Sequence, residues 1–112
     1  MLSEPSGPPQ QVTLSDVTSR SINVSWGPVP ANDRNGIILG YKLNYRALPN
    51  HGIVTEFLNI SNEQQNEGRT KILQTLNEFT NYSVSVLAFT IVGDGPLSFA
   101  KFVQTLEDSK LT

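Results

Sequence analysis

The sequence predicts an all-β protein, a seven-stranded antiparallel β-sandwich. Three observations carry this expectation. Apolar residues recur at every second position in short runs. The runs are separated by clusters of Gly, Pro and Asn at which neither helix nor strand continues. Residues with helix preference, such as Glu63 to Glu67, are too few and too polar to bury a helical face. At 112 residues the chain has the size of one ordinary domain, long enough to bury a core without metals or cross-links.

Each element follows in order from this pattern. Residues 1–8 read as a linker, because "PSGPP" favours an extended, semi-rigid chain. The domain is expected over residues 9–106, with 107–112 a second linker or the start of a following repeat. Val12 and Leu14 alternate with Thr13 and Ser15 in a first strand, and Ile22, Val24 and Trp26 alternate with Asn23 and Ser25 in a second that has one wet face. "GPVPANDRNG" is a loop, since Pro28, Pro30 and the Asn35-Gly36 pair stop both helix and strand. Leu39, Tyr41, Leu43 and Tyr45 then fall on one face of a third strand, opposite Lys42, Asn44 and Arg46.

"LPNHG" turns the chain, and "IVTEFLNI" is a weaker, edge-like strand, placed with Leu58 and Ile60 inward and Phe57 outward. The polar "SNEQQNEG" is a second loop, followed by a short strand over about residues 71–74. Tyr82, Val84, Val86 and Ala88 alternate with Ser83 and Ser85 in a sixth strand, and the seventh starts after Pro96 and ends near Thr105. Between these two, "TIVGDGPLS" is a turn. Gly93 and Gly95 are expected to supply backbone angles that other residues adopt poorly, with Asp94 hydrogen-bonding locally.

Composition limits the chemistry. The net charge is −2 and no two Lys or Arg residues are adjacent, so nothing matches a row of phosphates, and nucleic acid is not an expected partner. The absence of cysteine removes disulfides, thiolate catalysis and Cys-based zinc sites. No apolar run approaches the roughly 20 residues that span a bilayer, so this segment is not expected to cross one, and "MLSEPSGPPQ" lacks signal-peptide features. His51 is the only histidine and sits among turn residues. Asp33, Asp94, Glu63 and Glu67 are scattered without calcium-loop spacing, and no nucleophile elbow or complete dinucleotide fingerprint occurs. Neither catalysis, metal nor cofactor is expected. Three Asn-x-Ser sequons begin at Asn23, Asn59 and Asn81, and the alternation leaves each free to face solvent for N-glycosylation.

Trp26 on the second strand, "GYKLNYR" on the third, "LNEFTNY" ahead of the sixth and "VGDGPLS" before the last together resemble the fibronectin type III domain over nearly the whole chain. The most specific element, Leu76 to Tyr82, is similar to that family's tyrosine corner, with Glu78 where a proline is usual. The resemblance implies an immunoglobulin-like sandwich with strands A, B and E in one sheet and C′, C, F and G in the other. It also implies a structural core of Trp26, Tyr41, Leu43, Leu76, Tyr82, Val84 and Val86.

The same resemblance implies a non-catalytic structural and protein-protein interaction module, one repeat of a multidomain cell-surface protein such as a neural adhesion molecule or receptor-type tyrosine phosphatase. Such a repeat lies on the extracellular side of a single-pass plasma-membrane protein or in a secreted chain, with neighbouring repeats and a protein ligand as partners. Partner-contact candidates are Asp33, Arg34 and Asn35 in the loop 30–36, and Gly93, Asp94 and Gly95 in the loop 91–97, at the same end of the sandwich. Ile38, Leu87, Phe89 and Phe102 are candidate apolar residues of the outer faces. The rival readings are a repeat of an intracellular, muscle-type scaffold and an accessory domain of an extracellular enzyme. The sequons weigh against the first and the lack of a surface aromatic platform against the second. Val92-Gly93-Asp94 lacks the arginine of an integrin-binding Arg-Gly-Asp.

Overall fold

Strict alternation needs one buried and one wet face, and the structure supplies both. The computed structural model describes residues 2–108; positions 1 and 109–112, parts of the two expected linkers, lie outside the described residues. The strands are β1 (Gln10–Ser15), β2 (Ile22–Gly27), β3 (Gly40–Ala47), β4 (Val54–Asn59), β5 (Arg69–Leu73), β6 (Asn81–Phe89) and β7 (Lys101–Gln104). Two short 3₁₀ turns, Ala31–Asp33 and Asn62–Gln64, lie in the loops before β3 and β5. The sheets have the orders β1-β2-β5 and β4-β3-β6-β7, and every pair is antiparallel. This is the grouping A-B-E and C′-C-F-G.

The core lies between the sheets. Ile22, Val24 and Trp26 of β2 and Leu73 of β5 face Tyr41, Leu43, Val84 and Val86, all buried. The rings of Trp26 and Tyr41 meet edge to face with centroids 5.3 Å apart, a geometry favoured by the ring quadrupoles. The β3–β4 register pairs Tyr41 with Leu58, so Leu58 packs inward while Phe57 points out, 56% exposed.

The alternation of β3 does not extend back to Leu39. Ile38 is 1% exposed and Leu39 39%, so Ile38 belongs to the core rather than the outer face. Gln65 is the physical reason: its Oε1 accepts from the Ile38 N–H at 2.7 Å and its Nε2 donates to the Ile38 carbonyl at 2.8 Å. That side-chain clamp replaces the strand pairing and turns Ile38 inward. On the outer face Leu87 is also buried, whereas Phe102 is 67% exposed. β5 begins two residues earlier than expected, at Arg69, and β7 is confined to Lys101–Gln104.

The corner ahead of β6 is held by two hydroxyls. Tyr82 Oη accepts from the Asn77 N–H at 2.8 Å. Thr105 Oγ1, just after β7, donates to the Asn77 carbonyl at 2.6 Å and accepts from the Thr80 N–H at 2.9 Å. Glu78, in place of proline, accepts from Arg20 Nη2 at 2.9 Å, and Arg20 Nη1 reaches the Leu76 carbonyl at 3.3 Å. The ion pair ties the corner to the β1–β2 turn.

Candidate partner-contact surface

The two candidate loops do come to one end of the sandwich, and a third segment lies between them. Residues 2–8, expected as a linker, pack there as a strap. The Ser3 N–H donates to the Asn35 carbonyl at 2.9 Å and the Ser6 N–H to the Asp33 carbonyl at 2.8 Å. Asn35 Nδ2 donates to the Glu4 carbonyl at 3.2 Å, Ser6 Oγ to Asp33 Oδ1 at 3.2 Å, and Thr90 Oγ1 to the Ser3 carbonyl at 2.9 Å. Pro5 is fully buried. Pro-rich composition predicts the extended conformation, but an extended chain still carries amides, and two facing loops satisfy them.

The loop 30–36 is itself anchored. Arg34 Nε donates to the Val29 carbonyl at 2.8 Å and Nη2 to Asn66 Oδ1 at 2.8 Å. Arg34 is therefore a brace across the loop base, and Asp33 a hydrogen-bond partner of the strap. Neither projects as a free tip.

The loop after β6 is a tight turn in which the Thr90 N–H donates to the Gly93 carbonyl at 3.0 Å and the Gly95 N–H to the Ala88 carbonyl at 2.8 Å. Neither Gly93 nor Gly95 has a positive φ, so the expectation that they supply unusual backbone angles is corrected. Gly95 is needed for close approach instead: a Cβ there would lie 2.7 Å from Pro5 Cβ and 3.0 Å from the Pro5 carbonyl oxygen. Gly7 has the same role on the other side, where a Cβ would lie 2.6 Å from Asp33 Oδ2.

Asp94 also differs from the expectation of a local turn bond. Its carboxylate pairs with Lys42 Nζ of β3 at 3.0 Å. That ammonium lies 5.3 Å from the Phe57 ring centroid and 5.5 Å from the Phe89 centroid, so one cation serves a carboxylate and two rings.

At the tip of the same end, Leu2, Ile37, Leu39 and Ile91 line an apolar groove of about 230 Å³, with Ile91 79% exposed. Away from it, Asn59 on β4 and Asn81 at the start of β6 are exposed, while Asn23 is half-buried and its Nδ2 donates to Ser15 Oγ at 3.2 Å. His51 is exposed in the turn after β3. Among the described residues no group of three or more His, Cys, Asp or Glu is placed to hold a metal ion, and no helix is long and apolar enough to cross a membrane. The strap residues and the Lys42–Asp94 pair were not singled out by sequence reading. The signal available was Gly7 and Gly95, whose missing side chains allow the close approach of strap and loops.

A seven-stranded sandwich with these two sheets and a hydroxyl-pinned corner defines the class, and the chain belongs to the fibronectin type III domain family, whose model matches residues 7–104. Among curated relatives it is similar to the human cell adhesion molecule DSCAM, 38% identical over 104 residues that cover 93% of this chain and 5% of that protein. It is similar also to the Drosophila melanogaster cell adhesion molecule Dscam1, 39% identical over 95 residues, 84% of this chain and 5% of that protein. The chain thus spans a small part of the length of the adhesion molecules it matches. Among solved structures, the FN1–FN3 domains of chicken CNTN1 share the fold with a TM-score of 0.77 at 24% identity, over 93% of this chain and 32% of that one.

Proposed function

We propose that the chain is a non-catalytic module of the extracellular part of a cell adhesion protein, working through its surface and through contact with neighbouring repeats. The observation that carries this reading is the 38% identity to DSCAM over 93% of the chain. The surface is consistent with it. The strap and two loops form a hydrogen-bonded end, and the groove of Leu2, Ile37, Leu39 and Ile91 leaves apolar area open there for an adjoining repeat to cover. Asn59 and Asn81 offer exposed sequons, whereas Asn23 is half-buried with its Nδ2 already bonded to Ser15 Oγ.

Expression of this chain through a secretory host tests the reading. Glycan attachment at Asn59 or Asn81, read as a mass shift removed by glycosidase, is the expected result. Secretion of a wholly unmodified product would favour an intracellular scaffold repeat instead.

A further inference from the structure

Phe57, exposed, and Phe89, half-buried, form an aromatic pair on the outer face of the four-stranded sheet. Their rings meet edge to face, 6.5 Å between centroids, and Phe57 stays largely in solvent although Lys42 lies over it. Exposed aromatics so placed mark a contact surface. The sequence places a sequon beside them: Phe57-Leu58-Asn59-Ile60-Ser61 puts an aromatic two residues before a sequon asparagine. On a strand, residues two apart share a face and stand about 6.7 Å from one another, and here both Phe57 and Asn59 face outward because Leu58 packs on the core.

The neighbouring column completes the shape. Gly40 of β3 lies directly opposite Asn59 on one side and Phe89 on the other. It has no side chain and is buried, and a Cβ there would lie 2.6 Å from the Leu58 carbonyl oxygen and 3.0 Å from Phe89 Cζ. Asn59 therefore has Phe57 two residues before it on the same face and Phe89 one strand further across, beyond Gly40.

We infer that Phe57, with Phe89 behind it, is a stacking platform for the first N-acetylglucosamine of a glycan on Asn59. The sugar presents a face of C–H groups, which suits the electron-rich face of a benzene ring, while its hydroxyls stay in water. One occupant explains the exposed Phe57 ring and the sequon on the same face. The inference rests on the extracellular reading but is separable from it.

The test uses the chain with Asn23→Gln and Asn81→Gln, so that Asn59 holds the one remaining sequon, with and without Phe57→Thr. Thr keeps the strand preference. Each protein is secreted, trimmed to a single N-acetylglucosamine, and compared in thermal unfolding with its unglycosylated bacterial counterpart. With Phe57 present the sugar raises Tm by on the order of 4 °C. In Phe57→Thr the gain falls below about 1 °C, and the upfield shift of the sugar ring protons seen with Phe57 is lost. An equal gain in both backgrounds, or none in either, would overturn the platform while leaving the extracellular reading intact. So would an empty Asn59 in a wild-type chain glycosylated at Asn81. A wild-type chain modified at no sequon would sink both.

Discussion

The corner ahead of β6 depends on two hydroxyls that hold one residue, Asn77, by the peptide groups on either side of it, and their coupling can be measured. Tyr82→Phe keeps the ring but removes the acceptor of the part-buried Asn77 N–H, now bonded at 2.8 Å. Leaving one such donor unpaired costs about 1–3 kcal/mol. Thr105→Val removes the donor to the Asn77 carbonyl and the acceptor of the Thr80 N–H together, and Thr105 is buried. Two unpaired backbone groups put this variant at roughly 2–4 kcal/mol.

Because both hydroxyls hold residue 77, one through its N–H and the other through its carbonyl, the first loss lets that residue move and lowers the cost of the second. The double variant is then less destabilised than the sum, by about 0.5–1 kcal/mol. Urea unfolding followed by Trp26 fluorescence reads this directly, with the denaturation midpoint falling by about 1 M per 2 kcal/mol and the slope unchanged. Strict additivity would refute the coupling through residue 77. A Tyr82→Phe variant as stable as wild type would refute the hydrogen bond as a determinant of the corner.

Two further outcomes are expected. Gly95→Val places methyl groups where Pro5 now sits, so the strap should detach at a cost of about 1–2 kcal/mol, with the Ser3 and Ser6 amides losing protection in hydrogen exchange while the β2 and β6 amides keep theirs. Retained protection at Ser3 and Ser6 would contradict the close-approach role. At alkaline pH, burial and then the neighbouring Glu56 push the Tyr45 hydroxyl up to about 12, and burial raises Tyr41 as well. Unfolded tyrosines give up their protons near pH 10 while the folded ones keep theirs, so stability is full below pH 10 and falls between about pH 10 and 12. Tyr45→Phe should flatten that decline in pH-dependent unfolding, and an unchanged profile would argue against it.

The strands were legible because a sandwich imposes period two on every element that has one wet face, and Ile22-Val24-Trp26 and Tyr82-Val84-Val86 obey it without exception. What was not legible depends on contacts between distant segments. Ile38 turns inward because Gln65, from another loop, satisfies its peptide groups, and no local pattern announces that. The strap read as a linker since proline and serine describe the conformation of a segment, not whether a surface awaits it. Asp94 finds Lys42 only because β3 and β6 are neighbours in the sheet. Gly93 and Gly95 look alike in sequence, yet a Cβ at Gly93 would only touch Glu4 Cβ at 4.0 Å while one at Gly95 would press into Pro5 at 2.7 Å.

The strap also decides how the module takes a load. In a chain pulled from its two ends, force enters at Ser3 and must break the bonds to Asn35, Asp33 and Thr90 before any of it reaches β1. Freeing residues 3–9 releases a contour length of roughly 20–25 Å. The module would lengthen by a short, reversible step at low tension with its sandwich intact, a mechanical fuse ahead of the fold itself.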